Sequence, residues 1–181
     1  GEGVWSIKST ENEGGKQRHC RFFSIFATTN KSVTKMVTYK YPRPCVTTDC
    51  LIFRKIENRW HILLIERANE PFRGCWALPG GFVEVDESLD VGAARELQEE
   101  TGLTQVALHQ LYAFGDVHRD PRHRTISVAY WGIDNSEQEA KGSDDAAQAQ
   151  WFALNELPPL AFDHDAMLSL ALERIQEIKE K

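Results

Sequence analysis

The stretch from Gly81 to Leu103 reads GFVEVDESLDVGAARELQEETGL and predicts an unusual helix. Four of its positions share one helix face at the spacing i, i+4, i+7 and i+11: Leu89, Ala93, Glu96 and Glu100. A helix that only packs against a core would place apolar residues at all four positions, but here the last two are carboxylates. Ser88 is a suitable N-cap and Gly102 a suitable terminator, so the helix is predicted over 88–101.

A third carboxylate, Glu99, stands beside the two on this face. Like charges this close repel one another, at a cost of about a few tenths of a kcal/mol per exposed pair. The C-terminal half of a helix also disfavours anions. Local rules broken together in one place indicate a functional site, and a hard divalent cation bound through oxygens would compensate them. Mg²⁺ is the expected ion, with Mn²⁺ as an alternative; a solvated acidic face is the other interpretation.

The fixed residues of this stretch follow a recognisable spacing. They are Gly81, Glu87, Arg95, Glu96, Leu97, Glu99, Glu100, Gly102 and Leu103. This pattern resembles the signature of the Nudix hydrolase family at every fixed position, and weaker resemblance extends from about Tyr41 to Ile175, including the run WALPGGFVE. The resemblance implies an α/β fold: a Nudix-type α/β/α sandwich with a mixed β-sheet.

The resemblance also implies roles for particular side chains. In the family the strand–loop–helix supplies metal ligands from the three helix glutamates, which are Glu96, Glu99 and Glu100 here. One such carboxylate, or one on a distant loop, acts as the base, so Glu99, Glu100 and the loop residue Asp145 are catalytic candidates. Arg95 is a further candidate because its guanidinium can orient a carboxylate. The alternative for Asp145 is a solvated polar loop.

Other residues are candidates for binding substrate. Gly80 and Gly81 allow close backbone approach to phosphate, although a plain turn after Pro79 would also want glycine. Arg67 ends a predicted strand that faces this turn. Three more arginines follow in the run FGDVHRDPRHRTIS, which spans residues 114–127: Arg119, Arg122 and Arg124. Arginine is a bidentate phosphate ligand, and this run resembles one found in Nudix members that hydrolyse or sense ADP-ribose; charged hairpin residues without a ligand are the alternative.

Five residues outside these groups have two interpretations each. Phe72, Trp76 and Phe114 either stack on a base or pack in the core. Asp163 and His164 either line the site or form a helix cap and its neighbour.

Metal-assisted hydrolysis of a diphosphate linkage in a small-molecule nucleoside diphosphate derivative is the expected reaction. The preferred substrate is ADP-ribose, cut to AMP and ribose 5-phosphate. The alternative is a nucleoside triphosphate pyrophosphatase acting on oxidised nucleotides such as 8-oxo-dGTP. A non-catalytic ADP-ribose sensor is the third candidate. The complete glutamate motif and a sequence ending at Lys181 after one predicted helix, without a DNA-binding winged helix, favour an enzyme.

Outside this motif, alternation of apolar and polar residues predicts strands over 45–54, 60–66, 106–117, 125–133 and 149–154. A second amphipathic helix is predicted over 164–180, with Asp163 or Asp165 as its cap. Together these elements favour a mixed sheet with two main helices.

The first 35 residues differ from the rest of the chain. They lack apolar periodicity, which predicts a disordered or expression-derived tail. Residues 17–35 hold four basic and no acidic residues, so organelle targeting is the alternative. Residues 36–181 then form the Nudix domain.

Charge and hydropathy narrow the class of partner. The formal net charge is −6, which is not the footprint of a nucleic-acid binder. The sequence has no apolar run of the roughly 20 residues that a membrane span needs. Four cysteines without a CxxC pair favour free thiols in a reducing compartment, hence the cytoplasm. A homodimer remains open.

Overall fold

The computed structural model describes residues 8–9, 20–21, 39–136, 138–142 and 146–175. The chain divides into two compact units, residues 1–44 and 45–181. In the first unit, strands β1 (Lys8–Ser9) and β2 (Cys20–Arg21) pair antiparallel. The predicted tail over residues 1–35 otherwise lies outside the described residues, and so does Asp145.

The second unit contains a seven-stranded sheet and two helices. Its elements are β3 (Cys45–Ile56), β4 (Arg59–Arg67), β5 (Trp76–Ala77), β6 (Gly80–Phe82), α1 (Leu89–Thr101), β7 (His109–Phe114), β8 (Thr125–Ile133), β9 (Ala146–Ala153) and α2 (His164–Arg174). The main strand order is β5-β4-β3-β8-β7, while β6 pairs with β3 and β9 pairs with β4. Strands β3 and β8 are parallel and the other pairs are antiparallel, so the predicted mixed sheet is confirmed.

Successive residues of the buried strand β3 face opposite sides of the sheet, as strand geometry requires. Leu51 and Phe53 pack in a cluster with Met167 and Leu168 of α2. Cys50 and Ile52 pack in a second cluster, which includes Ala93 and Leu97 of α1. One helix therefore covers each face, and the α/β/α layering is confirmed.

Helix α1 begins and ends where local sequence signals predict. The Ser88 hydroxyl accepts a hydrogen bond from the Val91 amide (3.3 Å). Gly102 adopts φ +76° in the left-handed region, and its amide donates to Gln98 O (2.8 Å). Glycine suits this position because other L-residues are strained there.

Helix α2 begins at His164, as predicted, but it lacks the predicted side-chain cap and ends earlier than predicted. Asp163 occupies the N-cap position but makes no side-chain capping bond, because its carboxylate binds Arg119 instead. The helix ends at Arg174, and residues 176–181 lie outside the described part of the chain.

In the second unit, one strand is shorter than predicted and two were missed. Strand β7 covers only part of the predicted 106–117. Strands β5 and β6 were missed, because two or three residues between glycines and a proline show no alternation. Within the described residues, no helix is long and apolar enough to cross a membrane.

Candidate active site

The Gly80–Gly81 segment lies against the acidic end of α1. The Gly80 amide donates to Oε2 of Glu100 (2.8 Å). A Cβ on Gly81 would stand 2.5–2.7 Å from the carboxylate atoms of Glu96, and a Cβ on Gly80 would stand 2.8 Å from Cα of Asp49. Such contacts are shorter than van der Waals distances. The contact at Gly80 is with backbone, so this glycine is needed, whereas a Cβ on Gly81 would require the Glu96 carboxylate to move.

Arg95 links the loop before α1 to two carboxylates on the helix itself. Its Nε and Nη2 donate to the two oxygens of Glu87 (3.0 and 2.7 Å), and Nη2 also donates to Phe82 O (3.0 Å). Its Nη1 donates to Glu96 (2.9 Å) and Glu99 (3.0 Å). These hydrogen bonds lower the pKa of Glu87 and raise that of Arg95. The guanidinium thus holds Glu87 in a two-nitrogen fork, and its third nitrogen binds Glu96 and Glu99.

Two of the three helix glutamates are costly to ionise. Burial raises the pKa of Glu100 to about 8, against the effect of the Gly80 amide, and the charges of Glu96 and Asp49 raise it further. Burial likewise raises the pKa of Glu96 to about 7, against the opposing effect of Arg95. The positive charge near these two carboxylates is too small to offset the cost of ionising them in a buried place.

These carboxylates fit a hard divalent cation, because it binds through carboxylate oxygens and would supply the missing positive charge. Among the described residues, no three acidic, histidine or cysteine side chains already stand in an arrangement that could hold a metal ion. Arg95 already forms ion pairs with Glu96 and Glu99, and the Glu99 side chain is 59% exposed.

Two of the predicted arginines lie close to the same aromatic ring. The guanidinium carbon of Arg67 is 4.9 Å from the centre of the Phe162 ring, and that of Arg122 is 5.5 Å from it. Burial, and then the positive charge of Arg122, lower the pKa of Arg67. Arg122 is also bound in a fork by Asp120 (3.0 and 2.8 Å). Two like charges held near a buried site favour an anion between them.

The other two arginines also donate to groups of the protein, as Arg67 does to Pro71 O and Arg122 does to Asp120. Arg119 has a side chain only 4% exposed, and it donates twice to Asp163 (3.0 and 2.7 Å). Arg124 donates through Nη1 to Asp116 O (3.2 Å) and Thr125 O (3.1 Å). Arg119 is thus bound to the residue that directly precedes α2.

The aromatic candidates divide between packing and exposure. Trp76 is half-buried against Phe152, with ring centres 4.6 Å apart. Phe114 packs edge-on against Tyr112. Phe72 is exposed, and its ring stands edge-on to Phe162 (4.8 Å). Phe72 and Phe162 both have positive φ, +64° and +55°, a strain that often accompanies functional sites.

Sequence reasoning missed Asp49 and Ser127, which meet beneath the glycine turn. Asp49 is buried on β3 and accepts a hydrogen bond from the Ser127 hydroxyl. It also lies 3.8 Å from Nη2 of Arg119 and 3.6 Å from Nε2 of His164. The available signal was a charged residue inside the otherwise uncharged strand CVTTDCLIF, since buried carboxylates are rare without partners.

Comparisons with known proteins agree with this geometry. The NUDIX domain profile matches residues 43–171. An ADP-ribose pyrophosphatase from Methanocaldococcus jannaschii is 44% identical over 128 residues, which cover 71% of this chain and 73% of that protein. An ADPR-responsive transcriptional repressor, NtrR from Acinetobacter baylyi, is 36% identical over 139 residues, or 75% of this chain and only 56% of the repressor.

A solved structure is similar to this chain as well. The NUDIX domain of Shewanella oneidensis NrtR, in complex with ADP ribose, superposes with a TM-score of 0.71 at 32% identity, over 75% of this chain and 91% of that one. The profile match, the identity to the pyrophosphatase and the shared sandwich fold show that the chain belongs to the Nudix family and is a Nudix hydrolase.

Proposed function

We propose that the protein hydrolyses the diphosphate linkage of ADP-ribose, with Mg²⁺ or Mn²⁺, and releases AMP and ribose 5-phosphate. One observation carries the proposal: a buried glutamate, Glu100, and a partly buried one, Glu96, face a glycine turn that brings backbone to within hydrogen-bond distance of Glu100. Similarity to the Methanocaldococcus pyrophosphatase supports the choice of substrate.

In this proposal Glu96, Glu99 and Glu100 hold the cation, which neutralises the diphosphate oxygens and activates water when bound. A carboxylate takes the proton from the attacking water, the new phosphorus–oxygen bond forms, and the bond to the leaving phosphate breaks. Glu99, Glu100 and Asp145 are the candidates for this base. Arg95 does not touch substrate; it orients the glutamates and must release Glu99 for a three-glutamate site to form.

Arg67 and Arg122 are the proposed ligands of the substrate phosphates, near the backbone of Gly80 and Gly81. Their guanidinium groups both lie close to Phe162, and their mutual repulsion is relieved when an anion binds between them. Arg124 lies on the same loop and can contribute only by leaving its carbonyl acceptors.

Binding of ADP-ribose without turnover is a second candidate, favoured by the similarity to the NtrR repressor and to the NrtR domain that binds ADP ribose. Hydrolysis of oxidised nucleoside triphosphates is the third. Each of these three functions predicts a different result when ADP-ribose and 8-oxo-dGTP are compared.

The test compares ADP-ribose with 8-oxo-dGTP in steady-state assays with Mg²⁺, with products identified by mass. We expect ADP-ribose to be preferred by about tenfold or more in kcat/KM, because buried polar groups discriminate against ligands that leave them unpaired. Arg122→Ala should raise KM for ADP-ribose, and excess chelator should abolish turnover.

Glu100→Gln should lower kcat by about 100-fold or more, since it removes a carboxylate that would hold the cation at the reaction centre. Glu57→Gln is the matched control, because Glu57 is exposed in the turn between β3 and β4. Tight binding of ADP-ribose without product would favour the sensor, and faster hydrolysis of 8-oxo-dGTP would favour the nucleotide pyrophosphatase.

A further inference from the structure

The turn that faces Glu100 is held at three successive residues. The Leu78 amide donates to Nδ1 of His164 (2.9 Å), and Pro79 O accepts from the Cys50 amide (2.7 Å). The Gly80 amide donates to Glu100 (2.8 Å). Two of these three contacts come from side chains, one on α1 and one at the first residue of α2.

The first contact fixes the tautomer of the histidine. Nδ1 accepts the Leu78 amide hydrogen, so it carries no proton, and the proton of the neutral ring is on Nε2. That nitrogen faces Oδ1 of Asp49 at 3.6 Å. Burial lowers the pKa of His164, which favours the neutral ring that this arrangement needs.

Asp49 is in turn held from two sides. Ser127 donates to its Oδ2, and Arg119 stands 3.8 Å from the same oxygen. Arg119 is bound by Asp163, the residue immediately before His164. A closed set of buried contacts therefore determines where the His164 ring points, and through it where the Leu78 amide lies.

We propose that His164 is a positioning residue for hydrolysis, which holds the Leu78–Gly80 turn through Nδ1 so that the Gly80 amide meets and orients Glu100. The ring does not reach the substrate in this role; it acts through the turn. The inference rests on the proposed catalytic part of Glu100, although the hydrogen bond itself can be tested without any substrate.

Three substitutions separate the two ring nitrogens. His164→Asn places an amide oxygen near the Nδ1 position and keeps an acceptor for Leu78. His164→Gln reaches toward Asp49 without that acceptor, and His164→Ala removes both. We expect Ala and Gln to lower kcat by about tenfold or more, as for residues that orient a metal site indirectly. KM should change little, and Asn should recover most of kcat.

The assay uses whichever diphosphate the wild-type enzyme hydrolyses fastest, so failure with ADP-ribose would overturn the substrate assignment and not this inference. His61→Asn is the matched control, because His61 lies on β4 and its Nδ1 stands near Arg59 O at an exposed position. Its kcat should equal that of the wild type.

A measurement on the unaltered protein covers the case in which the variants fail to fold. The ¹⁵N spectrum of metal-free, substrate-free enzyme should show His164 as the neutral Nε2–H tautomer. The opposite tautomer overturns the proposal. So does equal loss of kcat in the Asn and Ala variants, or an effect on KM alone.

Discussion

At the scale of single residues, Gly81 leaves room for the Glu96 carboxylate beside it. A Cβ there would stand 2.5 Å from Oε1 of Glu96, so this carboxylate would have to move. Gly81→Ala should therefore displace Glu96 and lower kcat by about tenfold or more, since small misplacements at a reaction centre are costly. Steady-state kinetics with Mg²⁺ would measure the effect.

Gly115→Ala is the matched control, because the nearest atom to its Cβ, on Arg124, would be 4.0 Å away. It should leave kcat unchanged. Normal turnover in Gly81→Ala would show that the position of Glu96 does not matter for the reaction.

His164 also makes a prediction about stability and pH. Its folded pKa is lowered below the ordinary value of about 6.5, so the unfolded chain binds this proton more readily. The neutral ring therefore contributes its full stability above the unfolded pKa of about 6.5, and this stability is lost as the pH falls toward the folded pKa. The charged groups facing it are Asp49, Asp163, Arg119 and Arg67.

His164→Asn cannot take up this proton. The free energy of unfolding of the wild type should therefore fall more steeply than that of the variant between pH 7.5 and 5, in urea titrations with chelator present. Parallel curves for the two proteins would contradict the prediction.

At the scale of elements, Arg95 ties the loop, the end of β6 and α1 together. Its hydrogen bonds to Glu87 are largely shielded, since the Glu87 side chain is 10% exposed. Arg95→Lys keeps the charge but loses the fork, so we expect a loss of about 2 kcal/mol in unfolding free energy. We also expect a lower kcat, because Glu96 and Glu99 lose their orientation.

Arg59→Lys is the control, because Arg59 is exposed and stands 4.0 Å from an exposed glutamate. Surface pairs of this kind contribute little. Equal stability of the two variants in urea titrations would show that the Arg95 fork does not hold the element together.

The ends of α1 could be predicted because their causes are local: a serine that caps and a glycine that adopts a left-handed conformation. Strand β6 could not be predicted, because its pairing with Thr47–Asp49 joins residues more than thirty positions apart. Helical periodicity predicted that Glu96 and Glu100 share one face, and both carboxylates lie at the glycine turn. Only the fold brings His164 to the Leu78 amide, since they are 86 residues apart.

The difference between local signals and contacts between distant residues also explains where the predicted arginines bind. Their sequence clustering predicted a shared role, but each one's neighbours in the fold decide what it binds. Arg122 lies over Phe162 beside Arg67, whereas Arg119 is buried against Asp163. Arg122 meets a carboxylate two residues away, whereas Arg119 meets one that directly precedes a helix more than forty residues later.

At the scale of the whole second unit, the two helices cover opposite faces of the sheet and yet contact the same turn. Glu100 reaches the Gly80 amide from α1, and His164 reaches the Leu78 amide from α2. Asp49, on the strand between the two layers, faces His164. The sandwich therefore fixes the turn from both sides, which accounts for a polar network inside an otherwise apolar core.

The last prediction concerns the extent of the catalytic domain, which we propose as residues 36–181. The family match begins at residue 43, and the buried cores described in the second unit draw on residues from Cys45 onward. Deletion of residues 1–35 should therefore leave kcat/KM within about twofold of the full chain, because no residue of the proposed site is removed. Thermal unfolding would be recorded beside the kinetics.

Deletion of residues 1–50 is the matched control, because it removes Thr47–Asp49, which pair with β6. That protein should fail to fold, since β6 loses its partner strand and the buried network loses Asp49. Loss of folding or of most kcat/KM in the shorter deletion would instead show that the first 35 residues belong to the catalytic domain.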